Sequence, residues 1–249
     1  MPGYGLDQCL LRYRRVAAEL AADEVWLGFL PYASLRTLST YWPAMRHWAS
    51  VVAFKPRFSL APDGGLQLVP CPADSLQELV RLVETQADFL AAVAPRDHWV
   101  GRVRPAYAPA GSHWSHHLAA GRLFWTWADH RGRAPGPLLR DPESEVHRLV
   151  RAIVSTMARE VEAGGAARFR LLILPAEEDL ADRAAHGGAY WDALVDGWSA
   201  EGLRVLDLSE PLLAAGALED GGLWAPGGHY SARGHQVVAD SLAAWLGLQ

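Results

Sequence analysis

Apolar residues recur at helical spacing almost from the start of the chain. Leu6, Cys9, Leu10, Tyr13, Ala17 and Leu20 share one face, with Arg12, Arg14, Arg15 and Glu19 mostly off it. Glu24 to Leu30 (EVWLGFL) is apolar without alternation, the pattern of a short strand buried on both faces, and Pro31 closes it. Lys55 to Leu60, the turn Asp63-Gly64-Gly65 and Leu66 to Pro70 predict a small hairpin. Ser75-Leu76-Gln77-Glu78 is a capping-box sequence opening a helix with the stripe Leu76, Leu79, Val80, Val83 and Leu90. Leu118 to Trp127 is a weaker helical segment, and Pro135-Gly136-Pro137 predicts a break.

The last hundred residues alternate more regularly. Asp141-Pro142 is placed as an N-cap with proline at the first helical position. Val146, Leu149, Val150, Ile153, Met157 and Val161 form the buried stripe, ended by Gly164-Gly165. Phe169 to Leu174 and Gly202 to Leu208 predict buried strands on either side of a helix over Ala189 to Ala200. Ser231 caps a final helix carrying Val237, Val238, Leu242 and Trp245. Strands of near-continuous apolar character alternating with helices predict a three-layer α/β domain around a parallel sheet. A long irregular insertion spans about 40–142 of this single domain.

Composition narrows the function classes. The 249 residues are 50% hydrophobic and 20% charged, as in a folded globular protein. A formal charge of -5 gives no broad basic field, so no nucleic-acid partner is expected. No apolar run approaches the ~20 residues of a membrane span, and Met1 to Gly5 lacks the basic start of a secretion signal. A cytoplasmic protein is expected. Cys9 and Cys71 build no disulfide framework and sit at no metal-ligand spacing. No glycine-rich loop joins a strand to a helix in a phosphate-cradling way, so neither cofactor nor metal is expected.

Ligands of open parallel sheets collect beyond the carboxyl ends of the strands, which directs attention to the loops after Leu30, Leu174 and Leu208. The acidic Pro175-Ala176-Glu177-Glu178-Asp179 is expected to be a helix start or a solvated turn. His229 follows the pair Gly227-Gly228 and precedes a capped helix, a placement that presents an imidazole at the sheet edge. His113, His116 and His117 lie in the insertion with no cysteine or carboxylate at ligand spacing, and are expected to be loop residues. His235 is expected at the surface of the last helix. The eleven tryptophans are assigned to packing.

Gly228-His229-Tyr230-Ser231-Ala232-Arg233-Gly234-His235 resembles the last signature block of the SGNH (GDSL) hydrolase superfamily, in which the catalytic histidine lies just ahead of the C-terminal helix. Pro2-Gly3-Tyr4-Gly5-Leu6-Asp7-Gln8 is similar to the family's second block, and Glu24 to Arg36 to the third. The resemblance implies a flavodoxin-like parallel sheet and hydrolysis of a small acyl ester by a serine nucleophile. It makes His229 the general base and the Gly3 N–H an oxyanion donor.

The chain departs from that pattern at three places. It begins downstream of the Gly-Asp-Ser turn and of the first strands. The third block reads Gly28-Phe29-Leu30-Pro31-Tyr32-Ala33-Ser34, without its asparagine. Pro226 and Gly227 stand where the orienting aspartate belongs, leaving Asp220 and Asp207 as candidates for that carboxylate. An amino-terminally truncated or degenerate member, inactive alone, is therefore expected. The alternatives are a non-catalytic binding or scaffold module of the same fold, and different chemistry run by His229 with an unrelated partner. Without a first strand, Val25 to Leu30 is an open, unblunted edge, and self-association through it is expected.

Overall fold

The computed structural model describes residues 4–20, 22–45, 54–100, 118–121, 123–124, 127, 134–164, 168–219 and 222–248. In chain order the elements begin with α1 (Leu6–Leu20), β1 (Glu24–Phe29), a 3-10 helix (Pro31–Leu38) and α2 (Trp42–Met45). The strands β2 (Arg57–Leu60) and β3 (Leu66–Val69) precede α3 (Leu76–Glu84) and α4 (Gln86–Val93). Next come α5 (Pro135–Arg140), α6 (Glu145–Ala163), β4 (Arg168–Ile173), α7 (Glu177–His186) and α8 (Asp192–Ala200). Then follow β5 (Arg204–Asp207), α9 (Ser209–Ala214), β6 (Trp224–Ala225), β7 (His229–Tyr230) and α10 (Ala232–Leu246). They divide into two compact units, residues 1–8 with 35–134 and residues 9–34 with 135–249.

The second unit is mixed α/β, built on a three-stranded parallel sheet in the order β1-β4-β5. Alternation of side chains sets its two faces. Val25, Leu27 and Phe29 align with Phe169, Leu171 and Ile173 on one face, where Phe29 meets the Trp198 ring of α8 edge-on at 5.5 Å. The fully buried Leu149, Val150, Ile153 and Val154 of α6 belong to the same core. Its size follows from the transfer of these apolar surfaces out of water.

The opposite face mixes charge with indole. Trp26, Arg170 and Arg204 stand in one cross-strand row. Trp245 of α10 lies over that row, with the Arg170 guanidinium 5.3 Å from its ring and 5.2 Å from Trp26, and Arg204 at 4.8 Å. Glu24 accepts from Arg170 Nη2 at 2.7 Å and from Nε at 3.2 Å. Arg170 is buried, so the indoles and this carboxylate replace its water. Among the described residues nothing pairs with the outer edge of β1.

In the first unit β2 and β3 form the expected hairpin. The buried Asp97 carboxylate accepts from the N–H groups of Thr40, Tyr41, Trp99 and Val100 and from the Ser39 hydroxyl. The chain's one lysine, Lys55, is buried and paired with the buried Asp7. Burial pushes the Asp7 carboxyl up and the Lys55 ammonium down, each opposed by the other's charge.

Several local expectations shift. Strand 24–30 ends at Phe29 and is buried on one face only, because α10 covers the other incompletely. Asp141 does not cap the long helix; Pro135 to Arg140 is itself helical, since prolines in a first turn forgo no hydrogen bond. Ser144 caps α6 instead, its hydroxyl accepting from His147 N–H at 3.1 Å. The helix expected from Ser75 breaks at Thr85, which ends α3 and caps α4, so Leu90 lies outside the Leu76 stripe. Within that stripe Leu76 is 75% exposed. At the capping box, Glu78 reaches the Asp74 N–H rather than that of Ser75. The helix placed at Ala189 starts at Asp192, whose carboxylate accepts from the Ala189 N–H at 2.8 Å. The segment 118–127 has helical residues at 119–121, 123, 124 and 127. No helix among the described residues is long and apolar enough to cross a membrane.

The Asp7–Lys55 pair gives a direct test of the first unit. Replacing Lys55 by Met strands a buried carboxylate and is expected to lower unfolding free energy by about 3–5 kcal/mol. The double variant Asp7→Asn/Lys55→Met recovers part of that loss. Urea unfolding of the two single variants and the double variant checks it, and strictly additive losses contradict it.

Candidate functional site

The carboxyl end of the sheet is organised by the residue at which β4 stops. Leu174 N–H still donates to Phe29 O at 2.8 Å, and Leu208 N–H to Ile173 O at 3.3 Å. Pro175 then has no N–H to offer, and its free carbonyl accepts the Tyr230 hydroxyl at 2.7 Å. That bond fixes the β6–β7 pair, and with it residue 229, at the end of the central strand.

The pair itself is short. Trp224 faces Tyr230 and Ala225 faces His229. Between them Gly227 and Gly228 take φ of 90° and 77°, a conformation that side-chain-bearing residues rarely adopt. The Trp224 ring stacks on Tyr230 at 5.1 Å while its N–H donates to Ala217 O at 2.8 Å. Ser231 caps α10 as expected, its hydroxyl accepting from Gly234 N–H at 3.2 Å. Gly234 is needed for space, since a Cβ there would press into the Leu223 carbonyl.

Two carboxylates lie under this hairpin. Asp207, at the end of β5, accepts from the Trp191 indole N–H at 2.8 Å on one oxygen. Its other oxygen takes the Ser209 N–H at 2.8 Å and the Ser209 hydroxyl at 2.5 Å. Asp179 is 3% exposed, in the first turn of the helix that starts where a helix start or solvated turn was expected. It accepts from the Ala176 N–H at 2.8 Å, from the Tyr190 hydroxyl at 2.5 Å, and from the Tyr32 N–H. Burial raises its pKa to about 6, although these donors pull it down. Burial likewise raises the Tyr190 and Tyr230 phenols, and Asp179 adds to both shifts.

The expected site residues separate. His229 is exposed on β7, and among the described residues no hydrogen bond or ion pair joins it to a carboxylate. Asp207 lies at the same end of the sheet with both oxygens engaged. Gly3 and Asp220 lie outside the described residues, as do His113, His116 and His117. Ser34 is buried, with its hydroxyl on Pro31 O at 2.6 Å, and Ser209 is buried against Asp207. His235 is exposed, its ring 5.9 Å from that of Tyr230. No group of three or more His, Cys, Asp or Glu side chains able to hold a metal occurs among the described residues.

Sequence reasoning passed over Tyr190, Trp191, Ser209 and Tyr230. Tyr230 had a usable signal, standing inside the His229 block with alternation that turns it inward. Asp179 at the third helical position also had one, because a carboxylate there reaches back to the cap N–H. No family model, curated protein or solved structure matches the chain.

The hairpin's anchoring is open to measurement. Tyr230→Phe keeps the ring stack and removes one hydrogen bond, so a loss of about 1 kcal/mol is expected. Gly234→Ala forces backbone movement and is expected to cost about 1–3 kcal/mol. Chemical denaturation reads both; a Gly234→Ala variant as stable as the parent contradicts the packing described.

Proposed function

We propose that this chain carries the histidine-bearing portion of an SGNH-type ester hydrolase, a soluble cytoplasmic protein acting on a small acyl ester. One observation supports the reading above the others: Tyr230 ties the residue next to His229 to the carboxyl end of the central strand of a parallel sheet. Ligands of such sheets bind at that end. His229 is then the general base. It takes the proton of a serine hydroxyl as the oxygen attacks the ester carbonyl, and returns it to the departing alkoxide when the tetrahedral intermediate collapses. Water repeats the sequence on the acyl-enzyme. By resemblance Asp220 or Asp207 orients the imidazole.

The nucleophile in this reading is a Gly-Asp-Ser serine carried on a strand that pairs with the outer edge of β1. β1 has no partner there among the described residues, which leaves room for such a strand. A non-catalytic binding module of the same fold is the second reading. The engaged oxygens of Asp207 favour it, as does the exposed ring of His229, which has no carboxylate partner among the described residues.

Turnover of p-nitrophenyl acetate separates the two. It is to be measured on the 249-residue chain and on the chain expressed with the reading frame preceding it. The hydrolase reading expects activity in the longer protein, reduced by about 10³-fold or more in His229→Ala. Undiminished turnover in that variant removes His229 from the mechanism; silence in both proteins favours the module.

The β1 edge carries its own expectation. Val25 to Phe29 has neither proline nor charge to blunt it, so the isolated chain is expected to pair through it with a second copy. Light scattering across a concentration series reads the mass, and a monodisperse monomer at every concentration rejects the pairing.

A further inference from the structure

We propose that Asp179 is a pH-sensitive latch, fastening the segment that leaves β1 to the start of α7 and closing in mild acid. The inference stands on the cluster's geometry and is independent of the proposed hydrolase activity. The side chain is nine-tenths buried and collects donors from three separate stretches of chain: the Tyr32 N–H beyond β1, the Ala176 N–H at the α7 cap, and the Tyr190 hydroxyl ahead of α8. It is the one acceptor among the described residues that these three share.

Among the described residues no cation pairs with it. Within α7, Glu178 and Asp182 add negative charge, and His186 is turned to the Asp182 carbonyl at 2.8 Å. Arg183 is paired with Glu210 at 2.6 Å and Asp192 at 3.5 Å. Arg140 of α5, the cation whose charge reaches Tyr190, is spent on Asp182 at 2.8 Å. From the β5 and β7 side come Asp207 and the Tyr230 phenol, and from beyond β1 the Tyr32 phenol. Among the described residues the charged groups named here are acids or bases already paired, and an ionised Asp179 is held by neutral donors.

Both protonation states can be hydrogen-bonded. A tyrosine hydroxyl donates or accepts, so a neutral Asp179 keeps its link to Tyr190 with the direction reversed. Deprotonation instead leaves a buried charge that opening to water relieves. With a pKa of about 6 in the closed form and 3.8 when solvated, the closed form binds more protons, and closing weakens as pH rises through 4 to 6 and levels off above.

Amide hydrogen exchange at Tyr32 and Ala176, corrected for the intrinsic pH dependence of exchange, tests the latch on the full chain. Protection is expected to fall about tenfold between pH 5 and pH 8. In Asp179→Asn it should be the same at both. Flat protection in the parent chain, or the same fall in Asp179→Asn, overturns the proposal. Should Asp179→Asn not fold, Tyr190→Phe keeps the carboxyl and removes a donor to its ionised form. That variant should move the midpoint of the fall to higher pH, and an unmoved or lowered midpoint overturns the latch equally.

Discussion

The end of β4 is the constraint on which the second unit's chemistry depends. A proline at 175 stops the strand, and the carbonyl it frees is claimed by Tyr230. Trp224 and Tyr230 also pack against the buried Leu180, Leu208, Leu212, Ala217 and Leu223, and the bond to Pro175 sets where that packed pair meets the sheet. With it, the hairpin, the capped start of α10 and the Trp245 contact over Arg170 and Arg204 become one continuous attachment of the C-terminal helix to the sheet. Gly234 is the helix's one fully buried residue, and Val237 and Val238 lie partly buried against the same apolar cluster.

Both units solve the same problem of buried charge, by different means. Asp7 is given a cation, the one lysine of the chain. Asp97 is given five donors and lies near that same ion pair. Arg170 is given a carboxylate and two aromatic faces. Asp179 has donors but no cation, which is why burial prevails over hydrogen bonding at that site.

What could be read from the sequence follows the range of the forces involved. The three parallel strands were legible because runs such as FRLLIL are apolar at every position but Arg170, and the Ser231 cap because it acts over three residues. The parallel sheet followed from alternation of such strands with helices. Boundaries failed where a side chain acts over a different short range than assumed, as with Ser144 taking the cap expected of Asp141. The long-range partners of Asp179, Asp207 and Lys55 were not legible. Their partners lie 11, 16 and 48 positions away, and no local period encodes which donor arrives. Tyr32 and Ala33, standing in place of the resembled asparagine block, now have a consequence: the backbone N–H of Tyr32, which any residue supplies, serves Asp179.

The energetics of Asp207 bear on which carboxylate can orient His229. Turning Asp207 toward the imidazole would leave the Trp191 indole N–H and the buried Ser209 N–H and hydroxyl without acceptors. Each such loss costs about 1–3 kcal/mol. A single charge-assisted bond to an exposed histidine returns about 1.5–3 kcal/mol, less than the sum of what is broken. Asp207 therefore belongs to the scaffold that joins β5, α8 and α9, and it is poorly placed for the orienting role in the proposed mechanism.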